Sequence, residues 1–296
     1  MNPVDEKGAK GAKGAKGAAA ARYAVIGNPV AHSKSPRIHA LFAESLGQQI
    51  DYSKRLAPLE DFARELQRFR DEGGVGANVT VPFKQQAFAI AREATLRARQ
   101  AGAANFLEWR GEHWFCDNTD GAGLVRDIET NLCRSLRDAR VLLLGAGGAA
   151  RGVLGPLLVR APRHVVVSNR THERAVELVQ DYAANFALTA ATAEEWMERG
   201  DRFDIVINAT SSSLTGNLPL PQNANLFADG ALGYDMMYGR EPTVFMSWAH
   251  ERGAARVADG LGMLVEQAAE SYAQWRGTLP SAAPVIAQLR AELTAS

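Results

Sequence analysis

The apolar run Val141-Leu142-Leu143-Leu144 stops at Gly145-Ala146-Gly147-Gly148-Ala149-Ala150, and small residues then open a helical stretch. A strand, a glycine turn and a helix in that order suit a dinucleotide pyrophosphate. Gly145 permits a tight turn and Gly147 lets the backbone approach the phosphates. Ala150, in the third small position, allows close helix–sheet packing. The helix N-terminus adds unpaired N–H groups and the positive end of its dipole. The next apolar run, His164 to Ser168, ends in Asn169-Arg170-Thr171 and then Arg174. There a carboxylate would serve the ribose 2′-hydroxyl of NAD. Two guanidinium groups and no acid favour the 2′-phosphate of NADP instead.

Other polar residues sit where strands give way to helices. Asn78-Val79-Thr80-Val81-Pro82-Phe83-Lys84 is a β-type run reaching a helix start, so Lys84 projects from a C-terminal strand edge, where open α/β sheets bind ligands. Two readings of Lys84 stand: a solvated surface charge, or an amine that has lost solvent and is available for acid–base work. Asp120, in Asp117-Asn118-Thr119-Asp120-Gly121, reads as a helix N-cap as readily as a functional carboxylate, with the helix expected from about Ala122. Ser35 is placed as an N-cap with Pro36 at the first helical position. The alternative makes Ser33 and Ser35 a pair of hydroxyls for a polar ligand. Gln267 borders an apolar stripe of Leu264, Val265, Ala268, Ala269 and Tyr272. The six histidines form no metal-binding spacing, and neither a G-x-S-x-G elbow nor a Walker A lysine occurs, so metal hydrolysis and acyl transfer find no support.

The elements that position these groups are of α/β type. From Val141 onward strands and helices alternate, the pattern of a parallel sheet with crossover helices. A second α/β unit precedes it. Strands are expected at Tyr23 to Gly27, near 50–56, and at Leu232 to Met236, with a hairpin turning at Gly111. One helix is expected to present Leu59, Phe62, Ala63, Leu66 and Phe69. At 296 residues two domains are expected. Basic and acidic residues balance at 33 each, which gives no field for nucleic acid. No apolar run approaches the roughly 18 residues of a membrane span. Cys116 and Cys133 form no disulfide framework, so a reducing cytoplasmic setting is expected. Residues 1–20, with KGA repeated in threes, read as a flexible cationic tail.

Taken jointly, several motifs resemble shikimate dehydrogenase. They are Gly27-Asn28-Pro29 with His32-Ser33-Lys34-Ser35-Pro36, Asn78 to Lys84, Asp117 to Gly121, and Gly145 to Ala149. Asn169-Arg170-Thr171, Asn208-Ala209-Thr210-Ser211 and Asp259-Gly260-Leu261-Gly262-Met263-Leu264 complete the set. The likeness runs from about Tyr23 to the C-terminus. It implies reversible, NADP-dependent reduction of 3-dehydroshikimate to shikimate, on the way to chorismate and aromatic amino acids, by a monomer or homodimer. It implies a substrate domain of residues 21–120 completed by about 257–296, and a Rossmann-like NADP domain of 121–256. The C-terminal helices return to the substrate domain, and closure of the cleft excludes water.

The resemblance assigns catalysis to Lys84 and Asp120. It assigns the substrate to Ser33, Ser35, Thr80, Asn105, Asp120, Tyr238 and Gln267, with Asn78 as a supporting neighbour. NADP falls to Gly145, Ala146, Gly147, Gly148, Ala149, Asn169, Arg170, Thr171, Arg174, Met236 and Gly260, with Ala209 and Thr210 nearby. Two positions depart from the family. Its usual Asn-Thr reads Asn105-Phe106, and the glycine common after Thr-Ser-Ser is Ser213. The first is expected to alter packing beneath Asn105, the second the loop at the cofactor edge. A quinate/shikimate dehydrogenase using NAD, and a non-catalytic NADP-binding paralogue, are the competing readings. Arg170 with Arg174 argues against the former, and the Lys84–Asp120 pair against the latter.

Overall fold

Alternating apolar runs and amphipathic stretches become two six-stranded sheets in the computed structural model, which describes residues 21–182 and 184–295. The expected tail, 1–20, lies outside those residues. The first half runs β1 (Arg22–Gly27), α1 (Ser35–Ser45), β2 (Asp51–Leu56), α2 (Phe62–Asp71), β3 (Gly74–Val79), α3 (Lys84–Ile90), β4 (Glu93–Ala94), α4 (Leu96–Ala101), β5 (Phe106–Arg110) and β6 (His113–Asp117). Its strand order is β2-β1-β3-β5-β6-β4. β1 pairs in parallel with β2 and β3, while β5 and β6 form the antiparallel hairpin through the left-handed Gly111.

Helix α5 (Asp120–Arg126) and a π-helical turn (Asp127–Asn131) lead to the second half. There follow β7 (Arg140–Leu144), α6 (Gly148–Val159), β8 (His164–Ser168), α7 (His172–Gln180), β9 (Leu188–Ala190), α8 (Ala193–Glu198), β10 (Phe203–Asn208), a 3₁₀ turn (Ser212–Thr215), β11 (Phe227–Asp235), α9 (Val244–Glu251) and β12 (Arg256–Ala258). The order is β12-β11-β10-β7-β8-β9, parallel throughout. This is the doubly wound arrangement, and the strand order reverses between β7 and β10. The crevice beyond their carboxyl ends is where such sheets take ligands. Helices cover both faces, which explains why β7 reads as an unbroken apolar run. Val141 and Leu143 face one core, Leu142 and Leu144 the other.

Long α10 (Leu261–Arg276) then crosses back, and α11 (Ala283–Ala295) follows. Leu261, Val265 and Tyr272 of α10 pack with Ile38 and Phe42 of α1 and with Val285 and Leu289 of α11. β1 alternates accordingly: Ala24 and Ile26 face α2 and α3, while Tyr23 turns to Trp275 of α10, ring centroids 4.7 Å apart.

Three elements differ from expectation. α2 starts only at Phe62, so Leu59 stays outside it and exposed, and Ala63, though within the helix, faces solvent. Its buried face instead includes Glu65, held by Arg55 at 2.7 Å. β11 extends upstream to Phe227, paired with Phe203 of β10. α5 opens at Asp120 rather than near Ala122.

Candidate active site

Lys84 begins α3 and Asp120 begins α5, and the two helix starts face each other across the ends of the first sheet. Lys84 Nζ donates to Asp120 Oδ2 at 2.5 Å, with 30% and 12% of the two side chains exposed. The expectation of Asp120 as an N-cap is not met: Thr119 holds the cap position, and the Asp120 carboxylate accepts instead from Lys84 and, on Oδ1, from Asn105 Nδ2 at 2.8 Å. Its own N–H donates to Asn118 Oδ1. The turn that delivers it is anchored by buried Asp117, which accepts from Thr95, Arg97, Gln274 and the Asn118 N–H. Burial raises the Asp117 carboxyl, but Arg97 with Thr95 and Gln274 outweighs it and leaves the group below the usual carboxylate range.

Asn105 is the hub of the site. Its amide nitrogen lies 2.8 Å from Asp120 Oδ1, 3.0 Å from Thr119 Oγ1 and 3.1 Å from Gln267 Oε1. Two hydrogens serve three acceptors, so one is shared. Gln267 therefore turns inward from α10, with its own amide donating to Leu264 O. Thr119 and Ser271, which sequence reasoning did not single out, complete this buried layer. A signal for Ser271 was available, since it lies one helical turn after Gln267 on the same face. Asn78 sits beneath, donating to Asn105 O and Ser271 Oγ and accepting from Tyr52 Oη at 2.8 Å.

His39 closes the layer, stacked on Tyr52 at 4.3 Å and 3.2 Å from Asn78 Oδ1. That acceptor requires the hydrogen on Nε2. Burial lowers the His39 pKa from 6.5 to about 3, the Asn78 contact opposing it. Between those values the unfolded chain binds a proton that the folded chain refuses. Stability contributed by His39 is therefore full above pH 6.5 and falls as the pH drops toward 3, by up to about 1.4 kcal/mol per pH unit. His39→Gln keeps a donor for Asn78 and has nothing to titrate. Urea midpoints followed from neutral to acid pH should decline less steeply in this variant than in the parent; parallel declines would remove His39 from the account.

Ser33 and Ser35 lie on the other wall. Lys34 holds the cap position of α1, and Ser35 is already helical and makes no side-chain cap, contrary to the N-cap expectation. The Ser33 hydroxyl lies 3.2 Å from that of Ser35 and receives the Ser35 N–H. Both serines, Thr80, Lys84, Asn105, Asp120, Tyr238 and Gln267 line one cavity of about 340 Å³. Burial, with Asp259 nearby, raises the Tyr238 phenol, which keeps it a neutral hydroxyl. Met236 and Gly260 line this cavity too. A side chain at Gly260 would meet Met236 O at 2.1 Å, so only glycine allows that approach.

A trough leads away from the cavity. Lys84 also lines a hollow of about 490 Å³ with Ala146, Gly147, Gly148, Ala149 and Arg174. Arg174 in turn lines a third, about 630 Å³, with Gly145, Asn169, Arg170, Thr171 and Thr210. Gly145 holds φ +108°, and a Cβ there would meet Thr210 Cγ2 at 3.1 Å. The first turn of α6 has no side-chain cap, and its residues Gly148 and Ala149, with Gly147 before them, line the trough. Arg170 and Arg174 are exposed, and among the described residues neither is paired with a carboxylate. A bare helix start, a glycine cradle and two free guanidinium groups fit a dinucleotide carrying a 2′-phosphate.

Residues 25–107 match the shikimate dehydrogenase substrate binding domain, 127–216 match shikimate / quinate 5-dehydrogenase, and 260–290 match the shikimate 5′-dehydrogenase C-terminal domain. A shikimate dehydrogenase (NADP(+)) of Nitrosospira multiformis is 54% identical over 271 residues, covering 92% of this chain and 98% of that protein. Among solved structures, an Ael1 enzyme from Pseudomonas putida has a TM-score of 0.86 at 47% identity, over 91% of this chain and 98% of that one. A shikimate 5-dehydrogenase from Thermus thermophilus, in complex with NADP(H) and shikimate, has a TM-score of 0.81 at 32% identity, over 92% and 99%.

Proposed function

The chain belongs to the shikimate dehydrogenase family, and on that premise we propose that it reduces 3-dehydroshikimate reversibly to shikimate with NADPH, using Lys84 and Asp120. The observation that carries this assignment is the 2.5 Å Lys84–Asp120 contact at the point where the polar cavity opens into the trough. When bound, the nicotinamide supplies the hydride that adds to the carbonyl carbon. The carbonyl oxygen must gain a proton as it becomes a hydroxyl, and Lys84 Nζ donates it. In the reverse direction the same nitrogen takes it back. Asp120 holds Nζ in place and accepts a substrate hydroxyl, while Asn105 keeps the carboxylate oriented. Ser33, Ser35, Thr80, Tyr238 and Gln267 offer neutral donors to the substrate's carboxylate and hydroxyls.

We assign residues 21–120 and about 257–296 to the substrate-binding part and 121–256 to the NADP-binding part. Among the described residues no helix is long and apolar enough to cross a membrane. Cys116 and Cys133 are both free, which supports a reducing, cytoplasmic setting, where the chain works as a monomer or homodimer.

Nicotinamide absorbance followed with shikimate or quinate, each against NADP and NAD, tests the reading. Shikimate with NADP should dominate; turnover mainly of quinate with NAD would overturn it.

A further inference from the structure

Asp235, the last residue of β11, is fully buried, and every donor it meets among the described residues is neutral. Its Oδ2 accepts from Ser213 Oγ and Thr243 Oγ1, both at 2.6 Å. Its Oδ1 accepts from the Met237 N–H at 3.0 Å and from Asn208 Nδ2 at 3.2 Å. A carboxylate held out of water without a cation depends on all such donors. The network closes consistently. Asn208 Nδ2 also reaches Ser213 Oγ, Asn208 Oδ1 takes both Thr210 donors, and Thr243 Oγ1 receives the Met246 N–H as the cap of α9.

Two features of the site hang on this knot. On one side, Thr210, Ser212 and Thr215 form a wall of the hollow shared with Arg170 and Arg174. On the other, Met236 lines the main cavity. Within the 3₁₀ turn Ser212–Thr215, the hydrogen bonds other than those to the Ser213 hydroxyl close among residues 210–217. Among the described residues Ser213 is thus the turn's hydrogen-bonded tie to β11, whereas Ser212 reaches Asn208 of β10 through Thr210.

We propose that Ser213 is a positioning residue for the dinucleotide: its bond to Asp235 fixes the turn Ser212–Thr215 as a wall of the cofactor trough. This rests on the assignment of that trough to NADP. Without the bond the turn is still formed by its local bonds but is free to lift from β11, so the wall is ordered only when the dinucleotide arrives, at a cost to affinity.

The test compares Ser213→Ala, Ser213→Thr and the parent by NADPH fluorescence titration without substrate, steady-state kinetics and thermal melting without cofactor. Ser213→Ala should raise the Kd for NADPH and the KM for NADP by roughly three- to tenfold, the range of one hydrogen bond. The KM for shikimate should stay unchanged, and Ser213→Thr should restore most of the affinity. Unchanged NADPH affinity in Ser213→Ala, a lowered melting temperature alone, or an equal rise in both KM values would each overturn the proposal. Titration needs no turnover, so a parent chain that binds NADPH yet leaves shikimate untouched would fail the functional reading and not this one. A parent chain that did not bind NADPH would overturn both.

Discussion

Lys84→Ala should lower kcat for shikimate oxidation by about 10²- to 10⁴-fold, the range for loss of a positioned proton-transfer group, while the KM for shikimate moves only a few-fold. The split follows from the geometry. In the proposed assignment the substrate's hydroxyls and carboxylate fall to Ser33, Ser35, Thr80, Asn105, Tyr238 and Gln267, which line the cavity together, and none of them depends on the Lys84 side chain for its place. What disappears is the amine at 2.5 Å from Asp120 that we propose as the proton carrier while the carbon–oxygen bond changes order. Asp120 would keep its Asn105 donor and its backbone bond to Asn118, so the helix start survives the change. Stopped-flow single turnover, with melting curves as a check on folding, measures the effect. A variant with parental turnover would dismiss Lys84 as the proton carrier.

The second large effect is expected at the far end of the trough. Arg170→Ala with Arg174→Ala should cut kcat/KM for NADP by on the order of 10²-fold and leave the value for NAD nearly unaltered. A hydrogen bond to a charged group contributes about 1.5–3 kcal/mol, and the exposure of both arginines places the pair toward the low end. Exposure makes a further demand. The parent's preference for NADP should weaken as ionic strength rises, and the double variant should show little salt dependence. Parallel losses with both dinucleotides would mean that the arginines do not read the 2′-phosphate.

Local signals in the sequence are legible where chemistry and backbone conformation coincide. Gly145 needs a left-handed turn, and a β-run followed by Pro82-Phe83-Lys84 places Lys84 at a strand edge; both are visible within ten residues. Ser35 and Asp120 were ambiguous for the same reason. Capping and ligand binding use the same atoms, and only the positions of Lys34 and Thr119 as the true cap residues decide between them. The layer under the site was out of reach. Asn105 and Gln267 are 162 positions apart, and nothing near either residue foretells the contact. Both family departures find physical partners: Phe106 stacks on Trp275 at 5.1 Å, and Ser213 bonds Asp235.

That 162-residue separation has a consequence on the ribosome. The nascent chain presents Lys84 and Asp120 early, but Gln267, Ser271 and Trp275 emerge only after the whole second sheet. At about 5–20 residues per second, the gap from Asn105 to Gln267 is roughly 10–30 s of synthesis. Throughout it the first sheet lacks the helix that covers Tyr23, His39 and Phe106. The second sheet, contiguous from β7 to β12, has no such wait. Vectorial folding should therefore complete the dinucleotide fold first and leave the earlier-made half as the chaperone-exposed species.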